Sequence, residues 1–157
     1  MEQKNESNLL RRSLYWTSGL YALTALHHYY GSVVYGTPWR AHVVLLGGIA
    51  LLFCFLLARL YQRSRKSLWL YCYLLITTVL FGIGIGLFEG LYNHVLKNLL
   101  YFGGMNKTAW RSLFPAPAYE LPENFVFEIT GIFQFVVGAV QIYSQYQLFR
   151  NVQKQQS

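Results

Sequence analysis

Four apolar runs of helix length, separated by short polar clusters, dominate the pattern of this chain: Ser13–Tyr35, Val43–Tyr61, Leu68–Phe88 and Phe125–Leu148. Crossing the hydrocarbon core of a bilayer takes about 20 mostly apolar residues in a helix. Each run therefore predicts a spanning helix, and together they predict an all-α integral membrane four-helix bundle in one transmembrane domain over residues 1–157. The first run follows a polar N-terminal stretch. It is longer than the apolar core of a secretory signal and has no small-residue cleavage site, so it reads as a retained span.

Lipid tails are as apolar as leucine, so spanning helices associate through small residues and interhelical hydrogen bonds. Plotting positions at about 100° per residue gives each run a face. In the first, Ser18, Ala22, Ala25, Tyr29 and Ser32 form a narrow stripe with Thr24, His28 and Tyr35 beside it, which turns His28 toward protein and His27 toward lipid. In the second, Gly47, Ala50, Cys54 and Ala58 line up. The third carries Gly82, Gly86 and Gly90 at spacing four, with Thr78, Glu89, Asn93 and Lys97 on the same face. Its pattern continues through Gly90–Phe102, predicting an amphipathic outer extension that ends at Gly103–Gly104. The fourth repeats Gly131, Gln134, Gly138, Gln141 and Gln145 at alternating spacings of three and four, an interhelical seam. Residues 103–124 form an outer loop rich in aromatics and proline, including Trp110, Phe114, Pro115, Pro117, Tyr119 and Pro122. Aromatic residues favour the membrane interface, so the loop reads as a lid.

Composition agrees with this reading. Hydrophobic residues make up 54% of the chain and charged residues 12%, against roughly a quarter charged in soluble domains. The formal charge of +7 reads as a topology signal rather than a nucleic-acid footprint. With both termini inside, nine of the 13 Lys and Arg residues fall on inner segments and four on outer ones, as the positive-inside rule requires. The expected setting is a multi-pass membrane protein with cytoplasmic termini. The bilayer is its partner, nucleic acid is not, and small-residue helix faces are available for homo- or hetero-oligomers. Cys54 and Cys72 lie on different spans and form no metal or redox motif.

The candidate chemistry comes from counting depth. His28 lies 15 residues into the first run, about 22 Å along a helix. Glu89 closes the third run with Asn93 and His94 beyond it, Glu128 opens the fourth and His42 precedes the second. All of these reach the same outer leaflet. Ionisable groups at membrane depth are costly and are functional candidates by default. The leading reading is a pocket that binds a small lipophilic molecule and converts it by acid–base chemistry, as in an isomerase, cyclase or hydrolase. Glu89, His28, His94 and Glu128 are its candidate catalytic groups, and Asn93, Tyr29, Tyr92 and Trp110 its ligand contacts. A second reading takes His28, Glu89, His94 and Glu128 as ligands of a metal or, for the histidines, of a haem in a membrane redox protein. A third is a non-enzymatic assembly subunit or small carrier.

Overall fold

The computed structural model describes residues Glu2–Gln156, with side chains from Asn5 to Lys154; Lys4, counted above among the inner basic residues, lies outside those side chains. The described residues are helical and contain no strand. Helix α1 spans Glu2–Val34, and a single 3-10 turn at Pro38–Arg40 leads into α2, Ala41–Ser64. Helix α3 spans Ser67–Phe102, α4 is the short Lys107–Leu113, and α5 spans Phe125–Gln156. Helix α1 packs against α2 and α5, and α3 packs against α5 and α2. Within α3, the stretch Thr77–Leu96 is wound in the wider π form, with i→i+5 hydrogen bonds.

Three helical stretches are long and apolar enough to cross a membrane: Pro38–Ser64, Ser67–Phe102 and Phe125–Lys154. Helix α1 has the length but not the uniform apolarity. Its run is interrupted by Ser13, Thr17, Thr24, His27 and His28, all of them buried. Those side chains are turned into the bundle rather than to its outer surface.

This corrects the face expected for α1. The packed stripe is Leu10, Ser13, Thr17, Leu20, Thr24, His27 and Gly31, spaced three and four apart. Ala22 is exposed, and Tyr29 is 63% exposed. The small residues lie toward the outside, and the hydroxyls and histidines carry the contact with α5. Ser13 Oγ donates to Gln145 Oε1 at 3.0 Å and also bonds the Tyr73 hydroxyl. Gln141 donates to Thr77 O at 3.1 Å and to Thr17 Oγ1 at 3.4 Å. Buried polar groups in an apolar surround need such partners, and the glutamine seam of α5 supplies them to both α1 and α3.

The glycines set the distance between α3 and α5. A Cβ on Gly86 would sit 2.9 Å from Gly138 Cα, and one on Gly90 would collide with the Phe135 backbone. The two helices meet backbone to backbone, as the small-residue rows of both predicted.

At the opposite end from the lid, Arg65 closes α2 in a left-handed conformation at φ 55°. Glu6 accepts from the Tyr61 hydroxyl at 2.8 Å and from Arg65 at 3.0 Å, fastening α1 to the α2–α3 turn. At the lid end α3 runs on to Phe102, as the amphipathic extension predicted, and ends at Gly103 and Gly104, the latter at φ 84°. Asn106 then caps α4 by accepting from Thr108 N at 2.8 Å.

Candidate metal centre

Three helices deliver imidazole and carboxylate to one point. Helix α1 contributes His27 and His28, α3 contributes Glu89, Asn93, His94 and Lys97, and α5 contributes Glu128 and Thr130. At the centre is Glu89 Oε1. The Nε2 atoms of His27, His28 and His94 lie 3.7, 3.7 and 3.6 Å from it. These distances are too long for hydrogen bonds.

The surrounding bonds fix which lone pairs point inward. His94 Nδ1 sits 2.8 Å from Glu128 Oε2. A carboxylate only accepts, so Nδ1 carries a proton, and in the neutral imidazole Nε2 is the bare nitrogen. His27 Nδ1 sits 2.9 Å from Thr130 Oγ1, whose own hydroxyl donates to Val126 O at 2.8 Å. Thr130 therefore accepts from His27, and His27 Nε2 is bare as well, with no hydrogen-bond partner among the described residues. Asn93 Nδ2 donates to Glu89 Oε2 at 2.6 Å and leaves Oε1 free. With both imidazoles neutral, two nitrogen lone pairs thus face one carboxylate oxygen.

The spacing of these atoms suits a cation. Ligand atoms of His27, Glu89 and His94 lie within 4.8 Å of one another. Tetrahedral bonds of about 2.0–2.1 Å hold neighbouring ligands about 3.4 Å apart, close to the 3.7 and 3.6 Å from Glu89 Oε1 to His27 and His94. The second layer is also complete. Glu128, which orients His94, is itself held by Lys97 Nζ at 2.7 Å. A carboxylate behind a ligating histidine fixes its tautomer and raises its basicity. His27 is 1% exposed and stacks on Phe127 with ring centroids 4.1 Å apart. Gly131 leaves the space that the His94 ring fills, since a Cβ there would collide with it.

The centre opens on one side. A cavity of about 250 Å³ is lined by His28, Glu89, Asn93 and His94 on the helix side and by Ala118, Tyr119 and Glu120 from the lid. Lys97 Nζ of α3 reaches Glu120 O at 3.4 Å and so ties the lid to the site, while within the lid Arg111 donates to Tyr119 O at 3.2 Å. Burial raises the Tyr119 phenol above its ordinary range, which keeps it a neutral donor facing the cavity.

Of the residues expected here, Glu89, His28, Asn93, His94 and Glu128 come together. His27, expected toward lipid, is instead a central member, because the buried stripe of α1 is the hydroxyl–histidine one. Tyr29 points away from the cavity, on the exposed side of α1. Tyr92 stacks on Phe88 at 5.6 Å and donates to Leu113 O at 3.4 Å, outside the cavity. Trp110 is 2% exposed but packs under α4 and donates to Lys97 O at 3.2 Å, so it supports the lid rather than lining the cavity. His42 is exposed and donates to Trp39 O at 3.1 Å. Thr130 and Phe127 went unremarked in the sequence. The signal for them was the spacing of three and four from Phe127 to Thr130 and Gly131 on α5. No protein-family description, curated protein or solved structure matches this chain, so its function is read from its own geometry.

Proposed function

We propose that this chain is a membrane-embedded metalloprotein in which His27, His94 and Glu89 hold one divalent transition-metal ion that acts on a small molecule in the adjoining cavity. The observation that carries this reading is the convergence of bare lone pairs. With the imidazoles neutral, His27 Nε2 and His94 Nε2 face Glu89 Oε1, His27 Nε2 without a hydrogen-bond partner among the described residues, and a metal ion or a proton placed there relieves the repulsion of their lone pairs. Two histidines and one carboxylate suit iron(II) or zinc. Three protein ligands with an open side are the pattern of catalytic rather than structural sites, and the open side here is the cavity.

In the cavity the ion would polarise an oxygen of the bound molecule or activate a water. His28, 3.7 Å across Glu89 Oε1 and with a buried Nδ1 that lacks a partner among the described residues, is placed to accept the proton released. Acid–base conversion of a lipophilic molecule, the leading expectation from the sequence, is retained with the ion as its acid. Haem is disfavoured, since a cavity of about 250 Å³ is smaller than a porphyrin. The small-residue rows that suggested assembly are used within the chain, where Gly86 meets Gly138.

The same reading takes α1 as a fourth pass, since its polar side chains are buried within the bundle. The result is a four-span bundle with both termini inside and the metal centre in the outer half. Elemental analysis of the purified full-length protein tests it. The expected result is about one transition-metal ion per chain, lost in Glu89→Gln and in His94→Ala while helical circular dichroism is retained. Protein that stays metal-free after incubation with zinc, iron(II) and manganese would overturn the reading.

A further inference from the structure

Across the cavity from the proposed ligands lies a cation that the metal centre does not use. Arg40, at the foot of α2, is 5% exposed and lines the same cavity as Glu89 and His94. Its guanidinium is held by aromatic rings: 4.9 Å from Trp39, 5.3 Å from Phe127 and 5.5 Å from Tyr35. Rings position a guanidinium without neutralising it. Its Nε has no hydrogen-bond partner among the described residues. Its ion pair is a long one, 3.5 Å to Glu120 Oε1, and Glu120 belongs to the lid rather than to a packed helix. A buried arginine without a close carboxylate is an unmet charge, and a planar fork of donors is suited to a carboxylate.

Charge decides what can enter. Glu89, Glu120 and Glu128 against Arg40 and Lys97 leave one excess negative charge around the cavity. A divalent ion reverses that to one excess positive. Beside Arg40 the lining is apolar, with Trp39, which is 48% exposed, and Val43.

Resting on the metal reading above, we infer that the cavity binds an organic carboxylate, its head group between Arg40 and the metal ion and its apolar body leaving past Trp39 and Val43. Glu120 occupies the same partner position on Arg40 when no carboxylate is bound, so the lid carboxylate competes with the ligand. A carboxylate on a lipid-like chain and one free in water share this head group and differ in what Trp39 and Val43 contribute.

Cobalt(II) loaded into the purified full-length protein in detergent provides the test, because its visible bands report changes at the ion. Titration with octanoate should give a saturable spectral change, about 10- to 100-fold weaker in Arg40→Gln, where charge-assisted hydrogen bonds are lost. Glu120→Gln, in the solvent-facing lid, should tighten it several-fold. Octanoate binding more tightly than acetate supports delivery from the bilayer, and equal binding supports delivery from water; both keep the carboxylate site. Cobalt that loads normally but ignores octanoate and acetate, or responds only to orthophosphate, overturns this inference and leaves the metal centre standing. Unchanged octanoate binding in Arg40→Gln also overturns it. Should that variant not fold, the absence of tightening in Glu120→Gln does so instead. Protein that takes up no cobalt removes the metal centre and this inference together.

Discussion

Glu128 lies outside the triad of ligands yet decides the protonation of one of them. Its Oε2 accepts from His94 Nδ1, and its Oε1 is held by Lys97. Glu128→Gln keeps the volume and removes the charge. It should weaken metal binding about 10- to 100-fold, the usual effect of losing a carboxylate behind a ligating histidine, as measured by competition with a chromogenic chelator. Gly131→Ala attacks the same imidazole sterically, because its Cβ collides with the His94 ring; it should release the metal while leaving the helices formed. Metal binding also needs neutral imidazole and ionised carboxylate, so occupancy should fall as the medium is acidified. Much of this was legible from depth alone. Counting along the apolar runs brought His28, Glu89, His94 and Glu128 to one level. It missed His27, because the small residues of α1 were taken as its packing stripe. Where the neighbouring helix offers glutamines, hydroxyls and histidines make the better seam.

At the scale of elements, the α3–α5 contact carries the site, since Glu89 and His94 lie on one of these helices and Glu128 on the other. Gly138→Ala would push a methyl into Gly86 Cα. Overpacking of this kind costs about 1–3 kcal/mol and should appear as a lower midpoint of thermal unfolding in detergent. Gln134 makes the opposite case. It is 0% exposed, and neither of its amide atoms has a partner among the described residues. Gln134→Met should leave that midpoint unchanged or raise it, since a buried polar group without partners costs about 1–3 kcal/mol. The ends of α2 and α3, and the helical run past Phe88, were readable from glycine and charge placement. The polar positions that set α1 apart from the other three, Ser13, Thr17, Thr24 and His27, are hidden when the run is read by length alone.

For the molecule as a whole, large apolar side chains such as Leu45, Ile49, Leu52, Leu75, Leu80 and Phe133 are exposed, a surface that suits lipid and would aggregate in water. The proposed topology puts the α2–α3 turn inside and the lid outside. Single cysteines at Ser64 and Thr108, in a Cys54→Ala, Cys72→Ala background, should react with an impermeant maleimide on intact cells at Thr108 only. Labelling at Ser64 alone would invert the orientation. The aromatics and prolines between α3 and α5 drew attention to this segment, of which Ala118, Tyr119 and Glu120 line the cavity. Its tie to α3 through Lys97 was not anticipated, because that depends on the backbone carbonyl of Glu120, which no side-chain pattern marks.

The central claim is that bare nitrogen and oxygen lone pairs from α1 and α3 converge to hold a metal ion. X-ray absorption at the edge of the metal bound to the full-length protein tests it most directly. The account predicts a first shell of nitrogen and oxygen only, at about 2.0–2.2 Å, with the outer-shell scattering of at least two imidazoles that is lost in His27→Ala. A shell containing sulfur at about 2.3 Å, or one without imidazole, would contradict it.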